Sequence, residues 1–401
     1  MPIKKIRSDH VEIGMYVSSL DRPWVETPFL FQGFVINDQN DIDELCRHTQ
    51  HVYVVVPDEE IQLTRREPNQ PEASAQSELP RQTNYKGESN VDDEINKVRH
   101  SHALFPELFS EVESIIRTGG PLPFELFKQP AQNLVQSVTK TPDAYIWLTQ
   151  LKKFDSYIYK SALTAAIWAT ALGNKLGIVE EELQNLAIGC MLMDIGKLSL
   201  PPEILHKPGR LTNEEWEQMK THVDLGLERL QSNAQYPSSV LDIVRTHHER
   251  LDGSGYPNGL KGDRISLFGQ IAGMVDQYVA VTNPRPYAET ISPSKAEEML
   301  YNQRGTLFDE MLVEYFIQAL STYPTGSLVE LSSGEVGIVK AQKSGHNLRP
   351  DVILLLDPDK QPYGSFTLIN LDNYNHNGTP VRIAKTLADG EYGIDIEELS
   401  L

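Results

Sequence analysis

Between residues 95 and 322 the apolar positions recur at helical spacing, as in Leu183, Leu186, Ala187, Cys190 and Met191. Glu180-Glu181-Glu182 put negative charge in the first turn of that predicted helix, where the helix dipole favours it. Pro201-Pro202 and Pro208-Gly209 interrupt the pattern. Thr212 followed three residues later by Glu215 is a capping-box signal for the next helix. Asp252-Gly253-Ser254-Gly255-Tyr256-Pro257 reads as a loop. On either side of this block the pattern changes. In the first segment Asp41 to His48 reads as a short helix, and Tyr53-Val54-Val55-Val56 as a strand stopped by Pro57-Asp58. Glu67 to Asp93 is rich in Pro, Gln, Glu, Ser and Asn and poor in large apolar residues, the composition of a flexible linker. Beyond 324, Leu328-Val329-Glu330-Leu331, Gly337-Ile338-Val339 and Val352-Ile353-Leu354-Leu355-Leu356 read as strands, with a turn at Ser333-Gly334-Glu335. No internal repeat is visible.

The predicted fold class is therefore mainly α: a helical domain over 95–323 with its core at 140–320, a small α+β domain over 1–65, a linker over 66–94, and a β-rich unit over 324–401 packed on the helices. A length of 401 residues suits two or three domains, and about two-fifths hydrophobic residues suits ordinary globular cores. No apolar run reaches about 18 residues, so no membrane span is expected. The basic start Met1-Pro2-Ile3-Lys4-Lys5 is not followed by an apolar stretch, which argues against a secretory signal. Cys46 and Cys190 both lie in apolar periodic segments and are expected as buried thiols, not as a disulfide framework. These features point to the cytoplasm. A formal net charge of −20 argues against duplex nucleic acid as the main partner, because such binding neutralises phosphates with Lys and Arg. A small anionic ligand needs only a local cluster of positive groups.

Several residues form a candidate ligand set. Asp194 ends an apolar helix in Met193-Asp194-Ile195-Gly196-Lys197. His222 lies in another helix, His247 and His248 are adjacent and followed by Glu249, and Asp276 sits in the apolar helix Ile271 to Val281. Three His and two Asp suit Fe, Mn or Zn, with no soft-thiolate preference. Helices projecting such side chains inward are a common way to build a metal centre. Taken singly the residues have other readings: a lone His is usually a hydrogen-bonded or surface residue, and Asp276 would serve equally as a helix-pairing residue. An Asp in an apolar helix still needs a partner, because an uncompensated buried charge costs several kcal/mol.

His247-His248-Glu249-Arg250-Leu251-Asp252-Gly253-Ser254-Gly255-Tyr256-Pro257 closely resembles the HD-GYP signature. Gly259-Leu260-Lys261-Gly262, Lys207-Pro208-Gly209-Arg210-Leu211-Thr212 and Arg285-Pro286-Tyr287 extend the resemblance, which covers about 140–320. The first segment resembles the small domain that often precedes HD-GYP domains, notably at Pro23-Trp24 and Thr27-Pro28-Phe29. The resemblance implies an HD-type helical core and metal-dependent hydrolysis of cyclic di-GMP. It implies Asp194, His222, His247, His248 and Asp276 as metal ligands, and Asp194 with Lys197 in the reacting region. It also implies Arg285, Gly255, Tyr256 and Pro257 on the ligand side. Lys197 alone also reads as a helix C-terminal cation, Arg285 as a surface residue, and the glycines as turn formers.

The copy departs from its family. By alignment on Tyr159-Lys160-Ser161, Ser161 replaces the first family His. Tyr157 stands where some members have Glu, and Met193 replaces the His of the His-Asp pair. Ala288 stands where members often have Lys. In the family arrangement one ion uses Asp194, His222, His247 and His248; the other uses the two replaced His with Asp194 and Asp276. A thioether is a poor ligand for these metals and a hydroxyl a weak one, so one ion is expected rather than two. Two-metal hydrolysis draws both water activation and charge stabilisation from the pair, and losing about 4 kcal/mol of stabilisation slows a rate roughly a thousandfold. The expectation is a cyclic-di-GMP signalling protein with weak or lost phosphodiesterase activity that binds ligand or partner, with diguanylate cyclases and a second copy of the chain as candidate partners. The alternatives are an active phosphodiesterase yielding the linear dinucleotide or GMP, and a structural remnant without metal.

Overall fold

The computed structural model describes residues 3–13, 15–20, 34–36, 39–55, 91–151, 157–207, 209–232, 236–283, 290–320, 323–341, 349–376, 378–396 and 399. The chain divides into two compact units, residues 1–80 and 81–401.

In the first unit, strands β1 (Ile3–Arg7), β2 (Tyr16–Leu20) and β3 (Phe34–Val35), helix α1 (Gln39–His48) and strand β4 (His51–Val55) follow one another along the chain. The strands form one antiparallel sheet in the order β1-β4-β2-β3. Val17, Ile36, Val52 and Val54 are buried together with Ile42 and Leu45, whose three-residue spacing puts both on one face of α1. Cys46 is exposed, contrary to the expectation of a buried thiol. It follows Leu45 and is turned about 100° from that apolar face. Pro23-Trp24, Thr27-Pro28-Phe29 and the linker stretch up to residue 90 lie outside the described residues.

The second unit opens with helices α2 (Val91–Arg117), α3 (Glu125–Val138), α4 (Asp143–Leu151), α5 (Tyr157–Lys175) and α6 (Glu180–Leu192). It continues with α7 (Pro202–Leu205), α8 (Asn213–Lys220), α9 (His222–Gln231), α10 (Ser238–Thr246), α11 (Leu267–Thr282), α12 (Pro293–Gln303) and α13 (Glu310–Leu320). Helix α2 begins inside the stretch 66–94 that reads as linker. Glu94, Ile95, Val98, His102 and Phe105 are buried at helical spacing, and this stripe extends the helix back across the expected boundary. Every residue from Ile158 to Gly173 of α5 is buried. A helix apolar on all sides has no solvent face, and α5 packs against α6, α11 and α13 as the central element of the bundle. The predicted stripe of α6, from Leu183 to Met191, is buried against its neighbours. The capping box of α8 forms, with Thr212 N–H donating to Glu215 Oε2 at 2.7 Å and Glu215 N–H to Thr212 Oγ1 at 3.3 Å. Among the described residues no helix is long and apolar enough to cross a membrane.

The tail adds β5 (Leu328–Leu331), β6 (Val336–Ala341), β7 (Asp351–Leu356), β8 (Pro362–Asn370), a short pair β9 (Asn375–His376) and β10 (Thr379–Pro380), and β11 (Ile383–Leu387). Five of these strands form an antiparallel sheet in the order β11-β5-β6-β7-β8. Val329, Leu331, Val339, Val352, Leu354 and Ile369 share one core beneath it. The sheet is tied to the helices by Thr325 Oγ1 donating to Asp143 Oδ1 at 2.6 Å and by Ser294 Oγ with Thr386 Oγ1 at 2.6 Å. The three predicted strands are β5, the middle of β6 and most of β7; β8 and β11 carry too few buried positions to show an apolar pattern.

Candidate metal centre

Helix α6 ends at Leu192, and the backbone tightens into a 3-10 turn over Ile195–Ser199 with Asp194 at its start. Gly196 lets this turn rest directly on α9, since a Cβ there would collide with the His222 carbonyl. His222 lies in a helix as expected, as the first residue of α9 just past the end of α8. His247 closes α10, and His248 follows it into the loop. Three segments distant in sequence thus deliver Asp194, His222, and the adjacent pair His247 and His248 to one point. One ligand atom from each lies within 4.8 Å of the others.

The hydrogen bonds fix which nitrogens face inward. His222 Nδ1 lies 2.8 Å from the Met219 carbonyl, and His247 Nδ1 lies 3.0 Å from the Val244 carbonyl. A carbonyl only accepts, so each Nδ1 carries the proton and each Nε2 keeps its lone pair. Those two Nε2 atoms are 3.5 Å apart, and Asp194 Oδ1 sits 3.3 Å from one and 3.7 Å from the other. Asp194 Oδ1 and His248 Nε2 are buried without a hydrogen-bond partner. Lone pairs converging on one spot, with two buried atoms left unmatched, are what a cation would satisfy. The donor set fits a divalent ion of the Fe, Mn or Zn type.

Charge at the site follows the same logic. Burial alone would raise the Asp194 carboxyl, but the Lys197 ammonium holds it well below the usual carboxylate range. Lys197 Nζ donates to Asp194 Oδ2 at 2.7 Å, and both side chains are buried. Burial pushes His222 down, and pushes His248 well down with help from the neighbouring His247 and His222, so both rings favour the neutral, ligating form.

Asp276 is not one of the four converging donors. Its Oδ2 lies 3.8 Å from His248 Nδ1. Ser161 on α5 and Met193 after α6 are both buried. Arg285, with Pro286, Tyr287 and Ala288, lies outside the described residues, as does Pro208.

The loop after the histidines is clamped onto them. Tyr256 stacks on the His248 ring, 4.5 Å between centroids at 26°, and its N–H donates to the His248 carbonyl at 3.2 Å. Gly255 lies so close that a Cβ would strike the His248 carbonyl and the Glu249 Cα. Pro257 follows at an exposed position. Sequence reasoning gave no role to Glu249 and Arg250, yet these two hold the loop. The buried Glu249 carboxylate accepts the N–H groups of Asn258 at 2.8 Å and Leu260 at 2.9 Å. Arg250 Nη1 donates to the carbonyls of His247 at 2.9 Å and Glu249 at 2.8 Å. The signal for Glu249 was present: a glycine-rich loop has backbone N–H groups to satisfy, and an acid stands beside it.

Residues 146–312 match the HD domain family, and residues 3–126 match a domain of unknown function, DUF3391. The chain is 30% identical over 355 residues to the cyclic di-GMP phosphodiesterase PA4108 of Pseudomonas aeruginosa, covering 87% of this chain and 84% of that protein. The chain belongs to the HD-GYP family. Further HD-GYP relatives align over the helical core. The cyclic di-GMP phosphodiesterase response regulator RpfG of Xanthomonas campestris is 38% identical over 151 residues, 37% of this chain and 40% of its own. The 3'3'-cGAMP-specific phosphodiesterase 2 of Vibrio cholerae is 36% identical over 154 residues, 38% of this chain and 30% of its own. HD domains of this family are metal-dependent, and in this HD-GYP copy the converging donors are Asp194, His222, His247 and His248.

Proposed function

We propose that this chain binds cyclic di-GMP at a centre holding one divalent ion, Fe, Mn or Zn, and turns the dinucleotide over weakly or not at all. The observation that carries the reading is the contrast in donors: four atoms converge, while the two further family positions hold Ser161 and Met193. A divalent ion at the four donors supplies positive charge for a phosphate. Around it, Asp194 stays ionised beside Lys197, His222 and His247 present Nε2, and Asp276 lies next to the Nδ1 edge of His248. Lys197 offers a further cation at the same point. Gly255, Tyr256 and Pro257 border the centre on the loop side, and by the family resemblance Arg285 would supply a guanidinium suited to a phosphate. A protein that keeps its ligand uncut acts through a partner; a diguanylate cyclase docking on the loop surface, or a second copy of the chain, fits that role.

A second reading is favoured by the completeness of the four-donor pocket and the presence of Lys197: an active phosphodiesterase releasing the linear dinucleotide or GMP. One experiment separates the two. Metal-loaded full-length protein is incubated with cyclic di-GMP at high enzyme concentration, while calorimetry measures binding. The proposal expects measurable affinity with the dinucleotide left essentially intact. Stoichiometric conversion within minutes would establish the second reading, and absence of both binding and metal would leave only a structural role.

A further inference from the structure

Among the described residues, Trp216 is the one tryptophan exposed to solvent, with 45% of its surface accessible. Single exposed apolar residues are ordinary; its location is not. Its indole meets the Tyr256 ring edge-on, 5.9 Å between centroids at 81°, and Tyr256 in turn covers His248 of the metal centre. Lys220, one helical turn further along α8, holds its ammonium 5.9 Å from the same Tyr256 ring, while also pairing with Glu217 at 2.9 Å. An open aromatic face and a cation therefore stand together, one ring away from a converging imidazole.

We propose that Trp216, Tyr256 and Lys220 form a guanine subsite at the mouth of the centre. This rests on the cyclic-dinucleotide reading above. A phosphate held at the four donors projects its nucleoside outward, and a purine lying on the indole gains the stacking that proteins use for unpaired bases. Guanine presents O6 and N7 as adjacent acceptors, which match the Lys220 ammonium; adenine presents an N6 donor at the same edge, which does not. The subsite thus selects a base, and prefers guanine.

The test is calorimetry on full-length, metal-loaded protein with GMP, AMP, ribose 5-phosphate and cyclic di-GMP. The wild type is expected to bind GMP roughly tenfold more tightly than ribose 5-phosphate. Trp216→Ala removes that advantage and leaves ribose 5-phosphate affinity unchanged. Trp216→Phe keeps most of it, and Lys220→Gln narrows the gap between GMP and AMP. Trp216→Leu, which retains an apolar contact with Tyr256 but no aromatic face, reads the same quantity if the alanine variant folds poorly. Unchanged GMP affinity in both the alanine and leucine variants would overturn the subsite and leave the cyclic-dinucleotide reading standing. Equal losses for GMP and ribose 5-phosphate would assign Trp216 to holding the loop and likewise overturn it. A wild type that binds neither GMP nor cyclic di-GMP would remove both proposals together.

Discussion

Asp194 and Glu297 are both buried carboxyls, and each leaves one oxygen without a hydrogen-bond partner. Burial pushes both towards the protonated form, but only Glu297 yields to it, its carboxyl lying well above the usual range beside Tyr278. Asp194 stays ionised because the Lys197 ammonium stands 2.7 Å from its Oδ2. A buried acid by itself therefore says little about chemistry. The surrounding groups decide whether the fold holds a charge there, and a cluster of oriented lone pairs around a held charge marks a cation site.

The same contrast applies within the centre. His222, His247 and His248 bring nitrogen lone pairs, whereas Ser161 and Met193 bring a hydroxyl and a thioether. The sharpest way to break the contrast is to erase it. Ser161→His with Met193→His is expected to raise cyclic di-GMP hydrolysis by on the order of a thousandfold, the reach of about 4 kcal/mol in a barrier. Product chromatography measures it, and no gain would locate the defect elsewhere, with Ala288 the next position to restore. Next in size, His222→Ala is expected to lower metal affinity more than about a hundredfold, since even neighbours of ligands cost 10–100-fold. Competition with a chelating dye reads this, and retention of metal would place the ion elsewhere.

Smaller effects sharpen the comparison away from the ion. Glu249→Gln weakens the hydrogen bonds to Asn258 and Leu260 and is expected to cost about 2 kcal/mol of stability. Denaturant unfolding measures it; an unchanged midpoint would mean that the loop is held by Arg250 and Tyr256 alone. Smallest is Glu297→Gln. The folded carboxyl holds its proton above the ordinary carboxylate pKa, so folding takes up a proton at neutral pH and the native chain loses stability as pH rises. The variant is expected to melt a few degrees higher than the native chain at pH 7, with the gap closing below about pH 4.5. A gap independent of pH would show that Glu297 is already ionised in the fold.

Much of this was legible in the chain itself. The histidine pair and the glycine-rich loop carried the family resemblance, and Asp194 at the end of an apolar helix and His222 in the next helix stood out beside them, because each sits where periodicity or loop chemistry leaves a visible mark. Relations between distant segments were not legible. Nothing in the sequence showed that Asp276 approaches His248 at its Nδ1, or that Glu249 reaches across to the N–H groups of Asn258 and Leu260. Nor did the sequence show that Trp216 meets the ring of Tyr256. The edge strand β8 escaped notice because Gly364 to Leu368 are all exposed, and β11 because two polar residues separate its buried ends from any apolar run. Cys46 shows the converse error: an apolar neighbourhood in sequence is not a buried position on a helix.

The number of ions per chain tests the central claim most directly. Anomalous diffraction from crystals of protein reconstituted with excess Mn²⁺, Fe²⁺ or Zn²⁺ is predicted to give one peak, set among Asp194, His222, His247 and His248. A second fully occupied peak near Ser161, Met193 and Asp276 would contradict it.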